Sequence, residues 1–138
     1  MFQLDSRLAG DTLEVASLTL CRVLLLNDRR YDWLVLVPHR EGVTEILDLA
    51  PDDQQQLWQE VTLVAQVLRN TQPGHKLNIG ALGNVVRQLH VHLVLRCEED
   101  PAWPGPVWGH SPRQPYADEE GQEAAGRWRA LLERERQA

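Results

Sequence analysis

The sequence has little cysteine, little positive charge and no long apolar run, and each shortage excludes a class of protein. Its two cysteines, Cys21 and Cys97, are too few and too far apart for a disulfide framework or a Cys-x-x-Cys metal site. No apolar stretch approaches the ~20 residues of a membrane span, and the first residues lack the features of a signal peptide. We therefore expect a protein without a membrane partner that works in the reducing cytoplasm.

Positive charge is scarce, since the chain has 14 Lys and Arg but 20 Asp and Glu, which gives a net charge of -6. Affinity for long nucleic acids comes from many basic side chains against phosphates, so this balance disfavours a nucleic acid polymer as partner. A small phosphate ligand stays possible, because a few backbone N–H groups or neutral side chains can hold one.

The length and composition are those of one ordinary globular domain. The chain has 138 residues, of which 43% are hydrophobic and 25% charged, and a chain of this size buries enough surface to fold by itself. We expect a single domain over residues 1–138.

Alternating apolar and polar segments predict an α+β fold. Residues 18–26 and 34–37 are apolar and flank a polar turn, which indicates a β-hairpin, and residues 76–79 and 85–95 predict two further strands. From Pro51 to about Asn70, apolar residues recur at helical spacing, and a C-terminal helix is predicted over 118–136. The order predicts one antiparallel sheet with one long helix and a C-terminal helix.

The stretch from 87 to 96 carries the strongest chemical signal. Within a strand, Gln88, His90 and His92 point to one face, which we expect to be exposed, while the apolar residues between them point into the core. Neighbours in such a row are roughly 6.6 Å apart at Cα, so one phosphate can contact both imidazoles. One neutral imidazole can attack phosphorus while a second group holds or protonates the leaving oxygen.

Two other interpretations of the histidines stay open. They can be ordinary surface residues, or they can bind a metal, because His-x-His on a strand can supply two zinc ligands. A metal site needs a third ligand, and Cys97 has the wrong parity for that face while the other histidines fall in predicted loops. We therefore predict neither a metal nor an organic cofactor.

The segment Gln88-Leu89-His90-Val91-His92-Leu93-Val94 resembles the signature of the histidine triad family of nucleotide hydrolases and transferases. That signature is His-x-His-x-His followed by apolar residues, with x apolar. The context is similar too, through the following features in order: a strand ending at Asn27, a strand ending Leu36-Val37-Pro38, the helix from Pro51, the Asn78-x-Gly80 turn and the Gly83-Asn84 pair.

The resemblance implies a role for each member of the row. His90 matches the family histidine that takes the nucleotidyl group as a covalent phosphoramidate, and His92 matches the one near the leaving group. Gln88 stands where the family carries its first histidine, and Tyr31-Asp32-Trp33 replaces the common Pro-Gly-His before the second strand. These departures put the rate and the choice of leaving group in question.

Three asparagines match substrate-binding positions of the family. Asn27 corresponds to a polar contact with the ribose hydroxyls, and Asn78 and Asn84 fall where the family has polar side chains around the phosphate. Each is equally well explained as an ordinary turn asparagine, since this residue tolerates unusual backbone angles.

The resemblance therefore implies an enzyme with a small-molecule nucleotide substrate. It predicts a hydrolase or phosphoramidase that acts on the α-phosphate of a purine nucleotide conjugate through a covalent histidine intermediate, as a homodimer. Two alternatives stay open: a nucleotide-binding or sensing module with little turnover, and a partner-binding protein that uses the Trp103–Trp108 segment.

Overall fold

One five-stranded antiparallel sheet organises the fold in the computed structural model, which describes residues 1–138. Its strands are β1 (Thr12–Ser17), β2 (Cys21–Leu26), β3 (Asp32–Pro38), β4 (Lys76–Gly80) and β5 (Val91–Arg96), and the helices are α1 (Ser6–Asp11), α2 (Pro51–Thr71) and α3 (Asp118–Gln137). The strands lie in the order β1-β2-β3-β5-β4, and every neighbouring pair is antiparallel. The predicted α+β fold is thereby confirmed.

Helix α2 forms where the sequence predicts it, because several local signals agree. Pro51 is pre-organised for a first helical turn, Asp52 and Asp53 lie at the positive end of the helix dipole, and Arg69 lies at the negative end. Its apolar stripe is buried against the sheet through Leu57, Val61, Val64, Val67 and Leu68. No helix of the chain combines the length and the apolar character that crossing a membrane would need.

The two faces of the sheet carry different cores. Leu34 and Leu36 of β3 point towards α2 and α3 and belong to a cluster of 21 buried residues. The alternate residues Trp33, Val35 and Val37 point to the other face, in a cluster of 9. Strand β5 alternates in the same way, so this second face is the one that receives His92.

Three features differ from the sequence-based expectation. The strand predicted over 85–95 is shorter, since β5 begins at Val91 and residues 85–90 are irregular. Helix α1 and strand β1 were not predicted, because six residues each are too few for a clear periodic pattern and only Leu8 and Val15 are buried there. The sequence also predicts that the helix tryptophans Trp58 and Trp128 are packing residues, which is confirmed for Trp128, whereas Trp58 is 49% exposed.

Candidate active site

His90 and His92 lie side by side where the chain enters β5. Their ring centroids are 4.9 Å apart and the rings are inclined at 72°. They are buried rather than exposed, with 6% and 8% of their surface accessible, so both the expected exposed row and the surface-histidine interpretation are wrong. Buried polar side chains need partners, and each ring has one.

The partner of His90 is the backbone carbonyl of Gln88. The distance from His90 Nδ1 to that oxygen is 2.7 Å. A carbonyl oxygen only accepts hydrogen bonds, so Nδ1 carries the proton and donates it. In the neutral ring, the lone pair is therefore on Nε2, the nitrogen that is free to attack an electrophile.

The partner of His92 is the indole of Trp33. Trp33 Nε1 donates a hydrogen bond to His92 Nδ1 over 2.9 Å, between side chains 59 positions apart in sequence. Burial lowers the pKa of His92 to about 3, and the neighbouring His90 adds to this shift. His92 is consequently neutral throughout the physiological range.

Trp108 completes the surroundings of His92. Its ring lies 5.7 Å from the His92 ring and 6.2 Å from the Trp33 ring, edge to face in both cases. The nearby Trp103 instead lies over the guanidinium of Arg96, at 5.7 Å. Within the irregular segment that follows β5, Trp108 thus contacts the site, whereas Trp103 contacts a structural arginine.

Gln88 does not turn its side chain to the histidines. Its Oε1 accepts the backbone N–H of Asp5 over 2.8 Å, and its Nε2 donates to the carbonyl of Gln3 over 2.9 Å. The amide therefore fastens the N-terminal segment, in which Phe2 also stacks on His39 at 4.2 Å. Gln88 bonds His90 through its backbone carbonyl, and a catalytic role for its side chain stays a prediction.

The structure does not bring Asn27 and Asn78 together with the histidines. The amide oxygen of Asn27 accepts the backbone N–H of Tyr116 over 2.8 Å. That of Asn78 accepts from Arg96 over 2.8 Å, beside the Arg96–Asp100 ion pair of 2.6 Å. The register aligns Leu24 with Val35 and Val35 with His92, so Asn27 lies three residues beyond that line, roughly 10 Å further along the sheet. The ribose and phosphate contacts of these two residues stay predictions.

A cavity opens directly beside His90. Its volume is about 240 Å³, and it is bordered by the 3₁₀ turn at Ile46–Asp48, the loop around Gly83, Leu89 and His90. Ile46, Leu47 and Leu82 supply apolar walls. Asn84 is exposed at the end of the same loop, so of the three predicted asparagines it is the one next to a cavity-lining segment.

Sequence reasoning missed the cavity walls and Trp33. Ile46 and Leu47 sit in a polar loop without periodic spacing, and a bond from β3 to β5 leaves no local pattern. No group of three His, Cys, Asp or Glu side chains is arranged to hold a metal ion.

Comparison with known proteins places these features in a wider group. The family model described as HIT domain matches residues 11–99. The chain is similar to a histidine triad (HIT) protein from Sinorhizobium meliloti 1021, with 46% identity, coverage of 97% of this chain and 96% of that chain, and a TM-score of 0.88. A histidine triad protein from Marinobacter aquaeolei VT8 is 44% identical, with coverage of 97% of this chain and 98% of that chain and a TM-score of 0.91. A histidine triad protein from Bradyrhizobium japonicum is 41% identical, with coverage of 97% of both chains and a TM-score of 0.88. A search of curated proteins gave no match.

Proposed function

The chain belongs to the histidine triad family, and on that premise we propose that it is a nucleotidyl hydrolase that forms a covalent intermediate on His90. Family membership implies a nucleotide-binding hydrolase or transferase. The finer proposal is that the reaction occurs at the α-phosphate of a purine nucleotide conjugate, either a phosphoramidate or an anhydride, with His90 as nucleophile and His92 beside the leaving group.

The observation that carries the proposal is the hydrogen bond from His90 Nδ1 to the Gln88 carbonyl. Because Nδ1 holds the proton, Nε2 has the free lone pair and can attack phosphorus while the bond to the leaving group breaks on the opposite side. The imidazole becomes positively charged when the N–P bond forms, and the Gln88 carbonyl oxygen stabilises that charge through the same hydrogen bond. Water then attacks phosphorus, the N–P bond breaks, and His90 returns to its neutral form as the water proton leaves to solvent.

The cavity beside His90 is the proposed position of the nucleoside. Its apolar walls, Ile46, Leu47 and Leu82, suit the flat faces of a purine, since ligand pockets combine apolar surface with a few polar groups. Asn84, exposed at the end of the bordering loop, is the proposed phosphate contact. Both assignments depend on the substrate entering from the side of the 3₁₀ turn.

Trapping the intermediate tests this proposal. The protein is mixed with purine nucleoside phosphoramidates or dinucleoside polyphosphates, quenched in base, which spares phosphoramidates, and analysed by intact mass. We expect a mass increase of one nucleotidyl group on the wild type and neither adduct nor turnover with His90→Ala. The matched control is His110→Ala, at an exposed histidine outside the site. Wild-type turnover by His90→Ala would contradict the proposal.

A second candidate is a nucleotide-binding module with little turnover. It is favoured by one observation, that both polar ends of the Gln88 amide are engaged by backbone atoms of the N-terminal segment. The site then has two imidazoles instead of three, with His90 lining the cavity and His92 beside it. A thermal-shift panel decides between the two candidates, because a ligand that binds the folded state raises the melting temperature. Stabilisation by nucleotides without any adduct would favour the binding module.

We also propose that the protein is a cytoplasmic homodimer. Strand β4 has a neighbour on one side only, so its outer backbone groups can pair with another strand. Apolar side chains follow this edge and the adjoining loop, with Ile79 and Leu82 45% exposed and Val85 73% exposed. Light scattering should give about twice 15.8 kDa, and a monomer at micromolar concentration would contradict the dimer.

A further inference from the structure

Trp33 is the one group that bonds His92 Nδ1, and the chemistry of indole gives this bond a direction. An indole nitrogen is a donor without acceptor capacity. The hydrogen bond of 2.9 Å therefore requires an unprotonated Nδ1. Neutral His92 must then carry its proton on Nε2, whereas His90 carries its own on Nδ1.

Protonation of His92 would destroy this arrangement. The imidazolium form has N–H groups on both nitrogens, so Nδ1–H would face Trp33 Nε1–H with no acceptor between them. Trp33 is 6% exposed and His92 8% exposed, so neither donor has an easy route to water. A buried donor without a partner is costly, and the arrangement therefore resists the charged form.

The remaining surroundings of His92 offer it no compensating charge. The ring beside it, just before β5, is that of His90, which is also basic. Across the sheet it is paired with Val35 of β3 and Gly80 of β4, neither of which titrates. Trp108 covers it from the segment after β5. With burial and His90 acting in the same direction, the pKa of His92 is lowered to about 3.

We propose that Trp33 is a positioning residue that holds His92 as a permanent neutral Nε2–H donor, so that this site releases leaving groups which depart as weakly basic anions. The inference rests on the proposed function and narrows its substrate class. It selects anhydrides, whose leaving group is a phosphate or a carboxylate, over conjugates whose leaving group is an amine or an alkoxide.

The bond changes in the first step explain the selection. His90 Nε2 supplies the electron pair of the new N–P bond, and the breaking P–O bond leaves its pair on the departing oxygen. A phosphate or carboxylate carries that pair as a stable anion. An amine or alkoxide needs a proton as it departs, and neutral His92 donates a hydrogen bond without giving up its proton. No oxidant or further reactant takes part.

Imidazole nitrogen NMR tests the Trp33–His92 bond without any substrate. In protein labelled with ¹⁵N-histidine, and with His92→Gln used for assignment, we expect His92 to be protonated on Nε2 and bare on Nδ1 from pH 5 to pH 8. Trp33→Phe should abolish this fixed state, so that His92 begins to titrate or populates both tautomers. The matched control is Trp108→Phe. It removes the other indole that packs against the His92 ring, but that indole makes no hydrogen bond to His92. It should keep the wild-type pattern.

A leaving-group series tests the consequence for catalysis. Nucleoside 5′-monophosphate aryl esters, with phenols of graded basicity, should lose kcat/KM by on the order of 10²-fold or more from the least to the most basic phenol, because no acid assists departure. Trp33→Phe should flatten this dependence at mildly acidic pH, where the freed His92 can carry a proton. A merely structural role for Trp33 would lower all members equally.

The two measurements separate the inference from the proposed function. A wild-type His92 that carries Nδ1–H, or that titrates between pH 5 and pH 8, overturns the role of Trp33 even if the enzyme is active. A wild-type rate that is indifferent to leaving-group basicity overturns the selection of anhydrides. If the tautomer is as expected but no nucleotidyl adduct forms on His90, the positioning by Trp33 stands and the proposed function fails.

Discussion

The two faces of the sheet differ in what their buried polar groups do. Under α2, the buried carboxylate of Glu60 accepts the backbone N–H groups of Leu20 and Cys21 over 2.8 Å each, and so serves the turn between β1 and β2. On the opposite face, His90, His92 and Arg96 are buried beside a cavity or beneath tryptophans. On the first face the hydrogen bonds of the buried carboxylate stabilise a turn, whereas on the second face burial lowers the pKa of His92 and holds its imidazole neutral.

The largest effect should come from breaking the buried ion pair on the site face. Asp100→Ala leaves the Arg96 guanidinium, whose side chain is 1% exposed, without its carboxylate. We expect a loss of about 3–5 kcal/mol in unfolding free energy, measured by urea denaturation, because an unpaired buried charge is strongly unfavourable. The control is Glu133→Ala, whose partner Arg136 is solvent-exposed, and it should cost well under ~1 kcal/mol. Equal losses in both variants would contradict the burial argument.

A substitution that creates a cavity under α2 should lower the free energy of unfolding without changing catalysis. Leu57 is fully buried in the helix-side cluster, and Leu57→Ala should cost about 2–5 kcal/mol of unfolding free energy. The kcat/KM per folded molecule should not change, because Leu57 belongs to the helix-side cluster and does not line the cavity beside His90. If Leu57→Ala alters the leaving-group dependence, the two faces are coupled and the comparison fails.

The pH dependence of stability should reveal the neutral state of His92. Its pKa in the folded protein, about 3, is below the ordinary imidazole value of 6.5, so the unfolded chain binds this proton first as the pH falls. The neutral state of His92 contributes fully to the free energy of unfolding above about pH 6.5, and this contribution is lost towards pH 3. Between these values the free energy of unfolding falls by about 1.4 kcal/mol per pH unit. Denaturation between pH 6.5 and pH 4.5 measures the slope.

The variants for that experiment are chosen so that His92 is isolated. His92→Gln should remove this slope, whereas His110→Gln, at an exposed position, should keep it. The pKa values of Asp28 and Asp100 are lowered, since burial raises them less than hydrogen bonds and arginines lower them, whereas burial raises the pKa of Asp32. These carboxylates are the same in all three proteins, so the difference in slope between the wild type and His92→Gln reports on His92. A slope that persists in His92→Gln would contradict the assignment.

The smallest effect should come from the amide that fastens the N-terminal segment. Gln88→Ala removes two hydrogen bonds to the backbone of Gln3 and Asp5. We expect a loss of about 1–3 kcal/mol and faster hydrogen exchange at the Asp5 amide. The Gln88 carbonyl remains, so the nucleotidyl adduct on His90 should still form. Loss of the adduct would indicate that the Gln88 side chain takes part in catalysis.

The sequence predicts those parts that depend on local spacing. Helix α2 was predicted to within one residue at its C-terminal end, since Pro51, the acidic first turn and the apolar stripe are all local signals. His92 was predicted to face away from the helices because period two holds inside β5. His90 precedes that strand but still lies beside His92, as the alternation predicts. The side chain of Gln88, two residues earlier, turns instead to the N-terminal segment, so its predicted position in the row is wrong.

Long-range pairing accounts for what the sequence could not predict. The Trp33–His92 bond joins β3 to β5, and the Asn27–Tyr116 and Asn78–Arg96 bonds join segments far apart in the chain. An asparagine that bonds a distant backbone looks the same in sequence as one that binds a phosphate. The burial of His92 also depends on long-range contacts, because Trp33 and Trp108 reach it from other segments.

A nitrogen NMR spectrum of the two histidines shows directly which ring nitrogen of each carries the proton. At pH 8, above the ordinary titration range of imidazole, we expect opposite tautomers on adjacent rings: His90 protonated on Nδ1, which bonds the Gln88 carbonyl, and His92 protonated on Nε2. The first pattern makes a nucleophile and the second a hydrogen-bond donor. The same tautomer on both rings, or a proton on Nε2 of His90, would contradict the account.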